Sequence, residues 1–431
     1  MNRYQLKDRA FTLQDADAGD RLAAAHETHA RPLCLCATPP VPMYVARVGN
    51  RFILKRMPGT GARHRPTCDS YEAPAELSGL GEVAGAAIQE NTEDGTTTLR
   101  LDFALTKSPG RAAPVLSGAE VDTVGTDGRK LTLRGTLHYL WQQAGFNRWT
   151  PRMRGKRSWA VVRKHLLQAA GAVNTKGHRL NDALYLPEPF NADDRTAIAE
   201  RRGLKLAPLA VTTKGSRPLA LLIGEFKQLA GDRLIVKHLP DLPFVLNPDM
   251  RKGIEKHFAE ALQLREVATD SHLIVAATFG FTPTGVATIE KLTVMNVNAQ
   301  WIPFEDAYDL QLVDALVDQE RAFIKGLRFN LPRAKPLAAA VLNDTQPSPV
   351  ALYVIPPAVT DAQIDTLRQL AGESSYPSWF WTAAPAGAVP TLPALRDYVG
   401  MPPPAAPAPV AADAPASAAS DEDAGHEGVP A

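Results

Sequence analysis

The sequence predicts an α+β protein made of several units, and three observations support this fold class. Short runs of alternating apolar residues, which are typical of strands, occur between segments whose apolar residues recur at helical spacing. Glycines and prolines separate these segments and mark turns. The chain has 431 residues, 45% of them apolar, which is enough for two or three domains.

Changes in composition along the chain predict where these units begin and end. The segment 108–128 is rich in glycine and lacks an apolar period, and the last 31 residues combine proline and alanine with acidic residues but no lysine or arginine. The predicted units are a zinc-ribbon-like N-terminal module (1–107), a linker (108–128), a basic helical region (129–181), an α+β domain with a mixed or antiparallel sheet and helices on one side (182–305), a C-terminal α/β unit (306–400) and a disordered acidic tail (401–431).

All three cysteines lie between residues 34 and 68, together with one of the ten histidines. Three thiolates and one imidazole form a complete tetrahedral ligand set for zinc. Alternating apolar residues on both sides of Gly49-Asn50 predict a tight hairpin, which brings the two ends of this stretch together. We therefore predict a structural zinc ion bound by Cys34, Cys36, His64 and Cys68. Four protein ligands leave no open position, which argues against a catalytic zinc.

Other interpretations of these residues stay open at this point. Free cysteines often fill apolar space in the reducing cytoplasm, and a Cys36–Cys68 disulfide would leave one unpaired thiol. His26 and His29 lie just ahead of Cys34 and are candidates for additional metal ligands, although a solvated helix face explains them more simply.

The overall charge and hydropathy exclude several classes of protein. The formal net charge is only +1, so binding to a polyanion has to depend on a local cluster of cations. No apolar run approaches the roughly 18 residues of a membrane span, and the first residues lack the apolar core of a secretory signal. We therefore expect a cytoplasmic protein without a membrane segment.

Residues 129–181 contain twelve lysines and arginines and no aspartate or glutamate. The pattern predicts one helix that ends at Gly145 and a second that begins after Ser158, joined by a basic loop. Clustered cations bind nucleic acid because they displace counterions from phosphate. The predicted phosphate contacts are Arg148, Arg152, Arg154, Lys156, Arg157, Arg163 and Lys164. The alternative is a basic face that pairs with acids of a later unit or with water.

Trp149 and Trp159 flank this basic loop and invite two interpretations. An aromatic ring beside cations can stack on nucleic-acid bases. A large apolar ring at helical spacing more often belongs to the core. We expect both tryptophans to be core residues.

A carboxylate and a lysine two residues apart, Glu225 and Lys227, lie at the end of a predicted strand. Residues at this spacing share one face of a strand, and metal-dependent nucleases use such a pair. The nuclease pattern also needs an acidic residue on a preceding strand, and no such residue is evident upstream. A charged strand end at the surface is the simpler interpretation.

Residues 306–382 predict a helix–strand–strand–helix order. The predicted elements are a helix from Asp306 to Lys325, strands at 338–342 and 350–355, and a helix at 361–371. This order resembles the restriction-endonuclease-like core, with Glu320 and Asp344 at the positions of two metal-binding acids. Tyr353 and Ile355 stand where the resemblance implies a carboxylate and a lysine. It therefore implies a degenerate copy that does not cleave.

Several strings together resemble the uncharacterised bacterial family known as domain of unknown function 1173. They are the three N-terminal cysteines and the segments 54–61, 145–149, 155–159, 222–227, 236–244 and 321–330. The match covers roughly residues 30 to 382. The resemblance implies the cysteine cluster and a context of plasmids and integrative elements, and it implies no assigned activity.

Three functional hypotheses follow. The first is a cytoplasmic, zinc-stabilised nucleic-acid-binding protein from a mobile element, with no catalytic residues. The second is a metal-dependent nuclease that uses Glu225 with Lys227, or Glu320 with Asp344. The third is a protein–protein adaptor whose basic region meets an acidic partner, including its own tail. The sequence leaves the choice of DNA or RNA and the oligomeric state open.

Overall fold

The computed structural model describes residues 2–49, 51–108, 128–211, 215–357 and 359–402. These residues form a mixed α+β protein with ten α-helices and several sheets, which confirms the predicted class. Residues 109–127 of the predicted linker and residues 403–431 of the predicted acidic tail lie outside the described residues. None of the described helices has the length and apolar character needed to cross a membrane.

A five-stranded sheet with one helix opens the chain. Its elements are β1 (Tyr4–Leu6), β2 (Arg9–Phe11), α1 (Ala18–Glu27), β3 (Leu33–Cys34), β4 (Val41–Val48) and β5 (Arg51–Arg56). The strand order is β2-β1-β3-β4-β5. The predicted hairpin is confirmed: Met43 pairs with Arg56 and Val48 with Arg51. The turn needs a glycine because Gly49 has a φ of +59°.

The next elements connect the N-terminal part to the basic region. They are α2 (Leu80–Val83), β6 (Ile88–Glu90), β7 (Thr97–Leu99), β8 (Thr106–Lys107), α3 (Leu133–Gln143), β9 (Arg148–Trp149), α4 (Trp159–Ala170), β10 (Val173–Thr175) and β11 (His178–Arg179). Strand β7 pairs in parallel with β10, so one sheet of order β11-β10-β7-β6 bridges the boundary predicted at residue 128.

The two predicted helices of the basic region are present. The Thr132 hydroxyl accepts a hydrogen bond from the Gly135 amide at 2.9 Å and caps α3. The chain leaves this helix at Gly145, whose φ is +78°. Ser158 is the N-cap position of α4.

The central part is built around five strands that close on themselves. Its elements are α5 (Leu180–Ala183), β12 (Leu184–Tyr185), α6 (Arg195–Leu206), β13 (Arg217–Pro218), β14 (Ala220–Ala230), β15 (Arg233–Val236), β16 (Phe244–Val245), α7 (Pro248–His257), α8 (Ala259–Val267), β17 (His272–Phe281), β18 (Ala287–Val297) and β19 (Pro303–Phe304). Strands β14, β17, β18, β16 and β15 pair in a ring. The predicted mixed sheet is present, and it closes into a ring because β14 pairs with β17 along its first half and with β15 along its second.

Both faces of the long strands are buried. Leu222 and Val275 point into the ring, where they join one apolar cluster. Leu221 and Ile274 point outward and pack with Leu166 of α4 in a second cluster. Strands covered on both faces read as continuous apolar runs, which explains the unbroken apolar sequence from 219 to 223.

The C-terminal unit is a second mixed sheet. Its elements are α9 (Ala307–Asp318), β20 (Phe323–Lys325), β21 (Ala340–Leu342), β22 (Val350–Ile355), α10 (Asp361–Glu373) and β23 (Ser378–Thr382). The strand order is β23-β22-β21-β20-β9, so β9 of the basic region supplies the edge strand. The helix predicted to reach Lys325 is too long. The backbone turns at Glu320, with a φ of +55°, and the chain continues as strand β20.

Candidate metal centre

The three cysteines and His64 converge on one point. The Sγ atoms of Cys34 and Cys68 lie 3.8 Å apart. The Nδ1 atom of His64 lies 3.4 Å from Cys36 Sγ and 3.9 Å from Cys68 Sγ. All four ligand atoms lie within 4.8 Å of one another, close enough to bind one metal ion.

The strands around the cluster explain why these residues meet. Cys34 ends β3 and pairs with Tyr4 of β1 and Val41 of β4. The hairpin then returns the chain to the loop that carries His64 and Cys68. Gly61 allows this loop to pass close to Glu72, because a Cβ atom at residue 61 would lie only 2.5 Å from the Cβ of Glu72.

One of these separations matches a tetrahedral metal ion such as zinc. Two sulfurs that each lie about 2.3 Å from such an ion are about 3.8 Å apart, and the Cys34–Cys68 separation is 3.8 Å. The cysteines are free thiols rather than a disulfide. The amides of Arg65 and Ser70 point at the sulfurs of Cys36 and Cys68, at 3.4 Å each. Amide hydrogens directed at sulfur stabilise the thiolate form that metals bind.

Cys34, His64 and Cys68 are buried and Cys36 is partly exposed, and the three thiols do not ionise equally. The contact with Cys34 lowers the pKa of Cys68 to about 4, against the opposing effect of burial, and His64 and the Ser70 amide assist. The contact with Cys68, together with burial, raises the pKa of Cys34. Burial also raises the pKa of Cys36. A bound dication would stabilise the thiolate form of all three sulfurs.

His64 presents one nitrogen to the sulfurs and buries the other. Its side chain is only 2% exposed. Its Nε2 atom has no hydrogen-bond partner within the described part of the chain. A ligand histidine usually donates that second N–H to a neighbouring acceptor. Among the described residues, packing rather than a hydrogen bond therefore holds the Nε2 side of the ring.

The loop that carries His64 and Cys68 is attached to the rest of the molecule. Arg148 donates hydrogen bonds to the carbonyls of Cys68, at 3.1 Å, and of Tyr71. The Asn343 amide donates to the carbonyl of Pro66 at 3.0 Å. Ile324 of β20 packs in the same apolar cluster as Cys34 and Cys68. The cluster therefore lies where the N-terminal sheet meets the basic region and the C-terminal sheet.

Several of the predicted phosphate-binding arginines point inward. Arg157 donates to the carbonyls of Phe146 and Gln300, at 3.2 and 3.0 Å, and burial lowers its pKa to about 10. Arg163 donates to the carbonyl of Leu186 at 3.1 Å. Arg148 binds the metal loop. These guanidinium groups satisfy backbone carbonyls, which leaves them few donors for phosphate.

Other members of the predicted set remain on the surface. Arg152, Lys156 and Lys164 are exposed. Arg154 combines both arrangements: it donates to the Val317 carbonyl at 2.6 Å, and its side chain is still 44% exposed. Trp149 and Trp159 are 0% and 5% exposed, so neither ring is available to stack on a base.

The acidic residues of the nuclease hypothesis have other partners. Glu225 is buried and accepts hydrogen bonds from Lys237 at 2.8 Å and His272 at 2.9 Å, whereas Lys227 is exposed. Asp344 receives two hydrogen bonds from Arg321, at 2.9 and 3.0 Å. Apart from the cysteine cluster, no group of three metal-binding side chains meets within the described ranges.

A cationic groove was missed by the sequence interpretation. The groove has a volume of about 1210 Å³, and its charged lining consists of Arg100, Asp102, Lys107, Arg129, Lys130, Lys176, Glu290 and Lys291. The parallel pairing of β7 with β10 brings residues near 100 and near 176 to the same sheet. Arg129, Lys130 and Lys176 belong to the basic window, but Arg100 lies outside it. No short-range pattern connects these residues.

The fold and the site together define an α+β protein with a Cys₃His cluster that is suited to one metal ion. The chain belongs to the family described as protein of unknown function (DUF1173), whose family model matches residues 4–384. This confirms the family resemblance seen in the sequence. No curated protein and no solved structure matches the chain.

Proposed function

We propose that this chain is a zinc-stabilised nucleic-acid-binding protein that holds the phosphate backbone in the cationic groove. The observation that carries the proposal is the charge of that groove. Six cations and two acids line it, which gives an excess of four positive charges in a protein whose formal net charge is +1. Concentrated positive charge in a concave site attracts polyanions.

Both acids in the groove form ion pairs with lysines of the same groove. Lys107 binds Glu290 at 2.5 Å, and Lys291 binds Asp102 at 3.4 Å. Arg100, Arg129, Lys130 and Lys176 are exposed along the same groove. Phe103 adds an aromatic ring beside Lys291. Cations interleaved with an aromatic ring suit a nucleic-acid strand better than they suit a small anion.

The zinc in this proposal is structural. The four ligands are the soft donors that zinc prefers, and they complete its coordination, so no position remains for water or substrate. The loop that carries two of the ligands binds Arg148 of the basic region and Asn343 of the C-terminal sheet. An ion at this position would fix the contact between three parts of the chain. The hairpin between the ligand pairs supports describing this module as zinc-ribbon-like.

Salt-dependent binding tests the groove. Fluorescence anisotropy with labelled single-stranded DNA, duplex DNA and RNA 20-mers would be measured between 50 and 200 mM salt. We expect the triple variant Arg100→Ala, Lys130→Ala, Lys176→Ala to bind at least about tenfold more weakly at 100 mM salt, with a salt slope lower by about 2 to 3.

A matched control separates the groove from total charge. Lys227, Lys252 and Lys256 are exposed and lie outside the groove, so their combined replacement by alanine removes the same number of charges. This control is expected to bind nearly as the unmodified protein does. Equal loss in both variants, or no binding of any of the three nucleic acids at 50 mM salt, would overturn the proposal.

Two of the alternatives receive less support. Two of the acids required for a nuclease are already paired, Glu225 with Lys237 and His272 and Asp344 with Arg321, so a divalent metal would have to displace those partners. The third, Glu320, is exposed and lies 3.9 Å from Arg154. Tyr353, at a position where the restriction-endonuclease-like core needs a polar catalytic group, is 0% exposed.

An adaptor that binds an acidic protein would use the same groove, and the nucleic-acid titrations above distinguish it. A mobile-element origin rests on the family context alone.

A further inference from the structure

One part of the lining of the cationic groove is apolar. Besides its charged side chains, the groove is lined by Leu101, Phe103 and Ala104, which follow strand β7 and are called the apolar strip below. Ala104 is exposed, and Leu101 and Phe103 are partly buried. Phosphate contacts alone make no use of apolar surface, whereas a ligand that covers such surface gains free energy. The strip therefore indicates that the ligand of the groove carries an apolar part in addition to its charge.

The apolar strip is held in place by the main chain of Leu131 and by packing. The Leu131 amide donates to the Arg100 carbonyl at 2.6 Å, and the Leu131 carbonyl accepts from the Asp102 amide at 3.0 Å. Leu101 and Phe103 pack against the apolar cluster that contains Leu131. The fold thus positions the strip before a ligand arrives, which lowers the entropic cost of binding.

Exposed cations border the apolar strip. Arg100 directly precedes the strip in the chain, and Lys130 precedes Leu131, whose main chain binds on both sides of Leu101. The parallel register of β7 with β10 brings residue 176 beside residue 100, so Lys176 joins them. All three cations are exposed and line the groove. The groove therefore offers apolar surface and positive charge close together.

Phe103 is the residue of the strip that is suited to a nucleobase. Its ring lines the groove and is partly exposed. The Lys291 ammonium lies 6.0 Å from the ring centroid, at the outer limit of a cation–π contact. Atoms in direct contact are only about 3.5 to 4.0 Å apart, so this ammonium does not cover the ring. A base stacked on the exposed part of the ring would bury apolar surface on both partners and would lie near that cation.

We infer that the groove binds single-stranded nucleic acid, with one base stacked on Phe103 and adjacent phosphates at Arg100, Lys130 and Lys176. The inference rests on the proposed function and specifies the form of nucleic acid that the groove takes. The bases of a duplex are paired and stacked on one another, so they present edges rather than faces to a protein. A single strand exposes those faces, and an aromatic ring among cations binds them.

Charge by itself predicts the opposite preference. A duplex carries a higher density of phosphates than a single strand, so a site that recognises phosphate alone should bind the duplex at least as tightly. A groove that also stacks on a base gains a contact that only the single strand can make. Tighter binding of the single strand would therefore separate base stacking from simple attraction between charges.

Fluorescence anisotropy with the full-length protein at 100 mM salt compares three 20-mers: oligothymidylate, an abasic strand with the same phosphates, and a duplex. We expect oligothymidylate to bind about 5- to 100-fold more tightly than the abasic strand and at least about fivefold more tightly than the duplex. Oligouridylate of the same length distinguishes RNA from DNA as the source of the strand. Equal affinities for oligothymidylate and the abasic strand, or tighter binding of the duplex, would overturn the inference and leave phosphate binding intact. Absence of binding by every probe would overturn the proposed function as well.

Variants locate the stacked base. Phe103→Leu keeps an apolar side chain against the core but removes the ring, so it should weaken binding of oligothymidylate at least about fivefold and leave binding of the abasic strand unchanged. The salt slope should stay the same, because no charge is removed. Phe103→Tyr keeps the ring and should bind as the unmodified protein does. Phe190→Leu is the matched control, because Phe190 is 44% exposed and lies outside the groove. Equal weakening of both probes by Phe103→Leu would show a purely structural role and overturn the inference.

Crosslinking decides the outcome if Phe103→Leu does not fold. An oligothymidylate that carries 5-iodouracil in place of thymine reacts under ultraviolet light with an aromatic ring that stacks on it. Mass spectrometry of the unmodified full-length protein should then find the crosslink at Phe103. Crosslinks at other residues without one at Phe103 would place the bases elsewhere and overturn the inference.

Discussion

The cysteine cluster and the basic region behave differently when sequence becomes structure. Both drew attention through residue type and spacing. In the first, Cys34, Cys36, His64 and Cys68 meet within 4.8 Å. In the second, neighbours along the chain separate: Lys156 is exposed, whereas Arg157 donates to carbonyls in the interior. Metal ligands must converge on one point, and a hairpin in the sequence can show that they do. A run of cations along the chain does not show which side chains reach the surface, because the backbone fold decides the direction of each one.

The largest expected effect is loss of the metal centre. Cys68→Ser should abolish stoichiometric zinc, measured by elemental analysis of protein purified without chelator, where we expect about one ion per chain. It should also lower the free energy of unfolding by at least about 3 kcal/mol, since structural zinc contributes on the order of 10 kcal/mol in small zinc domains. Urea denaturation measures this change.

Two histidines provide a control for this prediction. His64→Asn should lose zinc, whereas His29→Asn should retain it, because His29 is not part of the cluster. Asparagine tolerates the positive φ of +52° at residue 29, so the second change should not disturb the backbone. Full zinc content in Cys68→Ser, or equal loss in both histidine variants, would contradict the assignment of the ligands.

The next effect compares adjacent cations in the basic region. Arg157→Met should lower the free energy of unfolding by about 3 kcal/mol, because it leaves several carbonyls without their donor. Lys156→Met should change it by less than about 0.5 kcal/mol, because that side chain is exposed. Parallel urea titrations measure both. Similar stabilities would show that the inward position of Arg157 is unimportant.

A smaller effect is expected for the tryptophans of the same region. Trp159→Phe removes the indole N–H that donates to the Pro187 carbonyl at 2.9 Å and should cost about 1 to 2 kcal/mol. Trp149→Phe should cost less from hydrogen bonding, because its Nε1 has no partner within the described ranges. Both variants should keep full nucleic-acid affinity in anisotropy titrations. If either variant bound nucleic acid more weakly at unchanged stability, the result would support stacking of that ring on bases.

The smallest effect on stability is expected at the exposed cations. Replacing Arg152, Lys156 and Lys164 together by glutamine should leave the unfolding free energy within about 0.5 kcal/mol. If these side chains extend the phosphate contact beyond the groove, the salt slope of nucleic-acid binding should fall by about 2 to 3. An unchanged slope would confine the interface to the groove residues.

Local patterns in the sequence correctly predicted several features. The alternation around Gly49 predicted the hairpin, and the apolar period with Gly145 predicted α3 and its end. The convergence of the three cysteines and His64 followed from the same hairpin, which brings the two ends of this stretch together. The burial of Trp159 followed from its helical spacing with Val162 and Leu166. These features depend on interactions over a few residues or on the properties of a side chain itself.

Other features depended on pairing between distant segments. The ring closes because β14 pairs with both β17 and β15, and no local signal in the sequence shows which distant strands will pair. The predicted helix through Lys325 failed because α9 ends in a local cap that no glycine marks: Glu320 takes a positive φ, its amide donates to the Val317 carbonyl at 3.1 Å, and the Arg321 amide donates to the Leu316 carbonyl at 2.9 Å. Domain boundaries drawn from composition are likewise bridged by β7 with β10 and by β9 with β20.

The sequence by itself determined which chemistry is available: a soft metal-ligand set, a run of cations and a family of unassigned function. Only the tertiary structure decided which cations face solvent, that Arg100 joins residues near 130 and 176, and that Asp309 meets Lys325 inside the protein. The physical reason is that residue identity fixes what a side chain can bind, whereas long-range strand pairing and packing fix its neighbours.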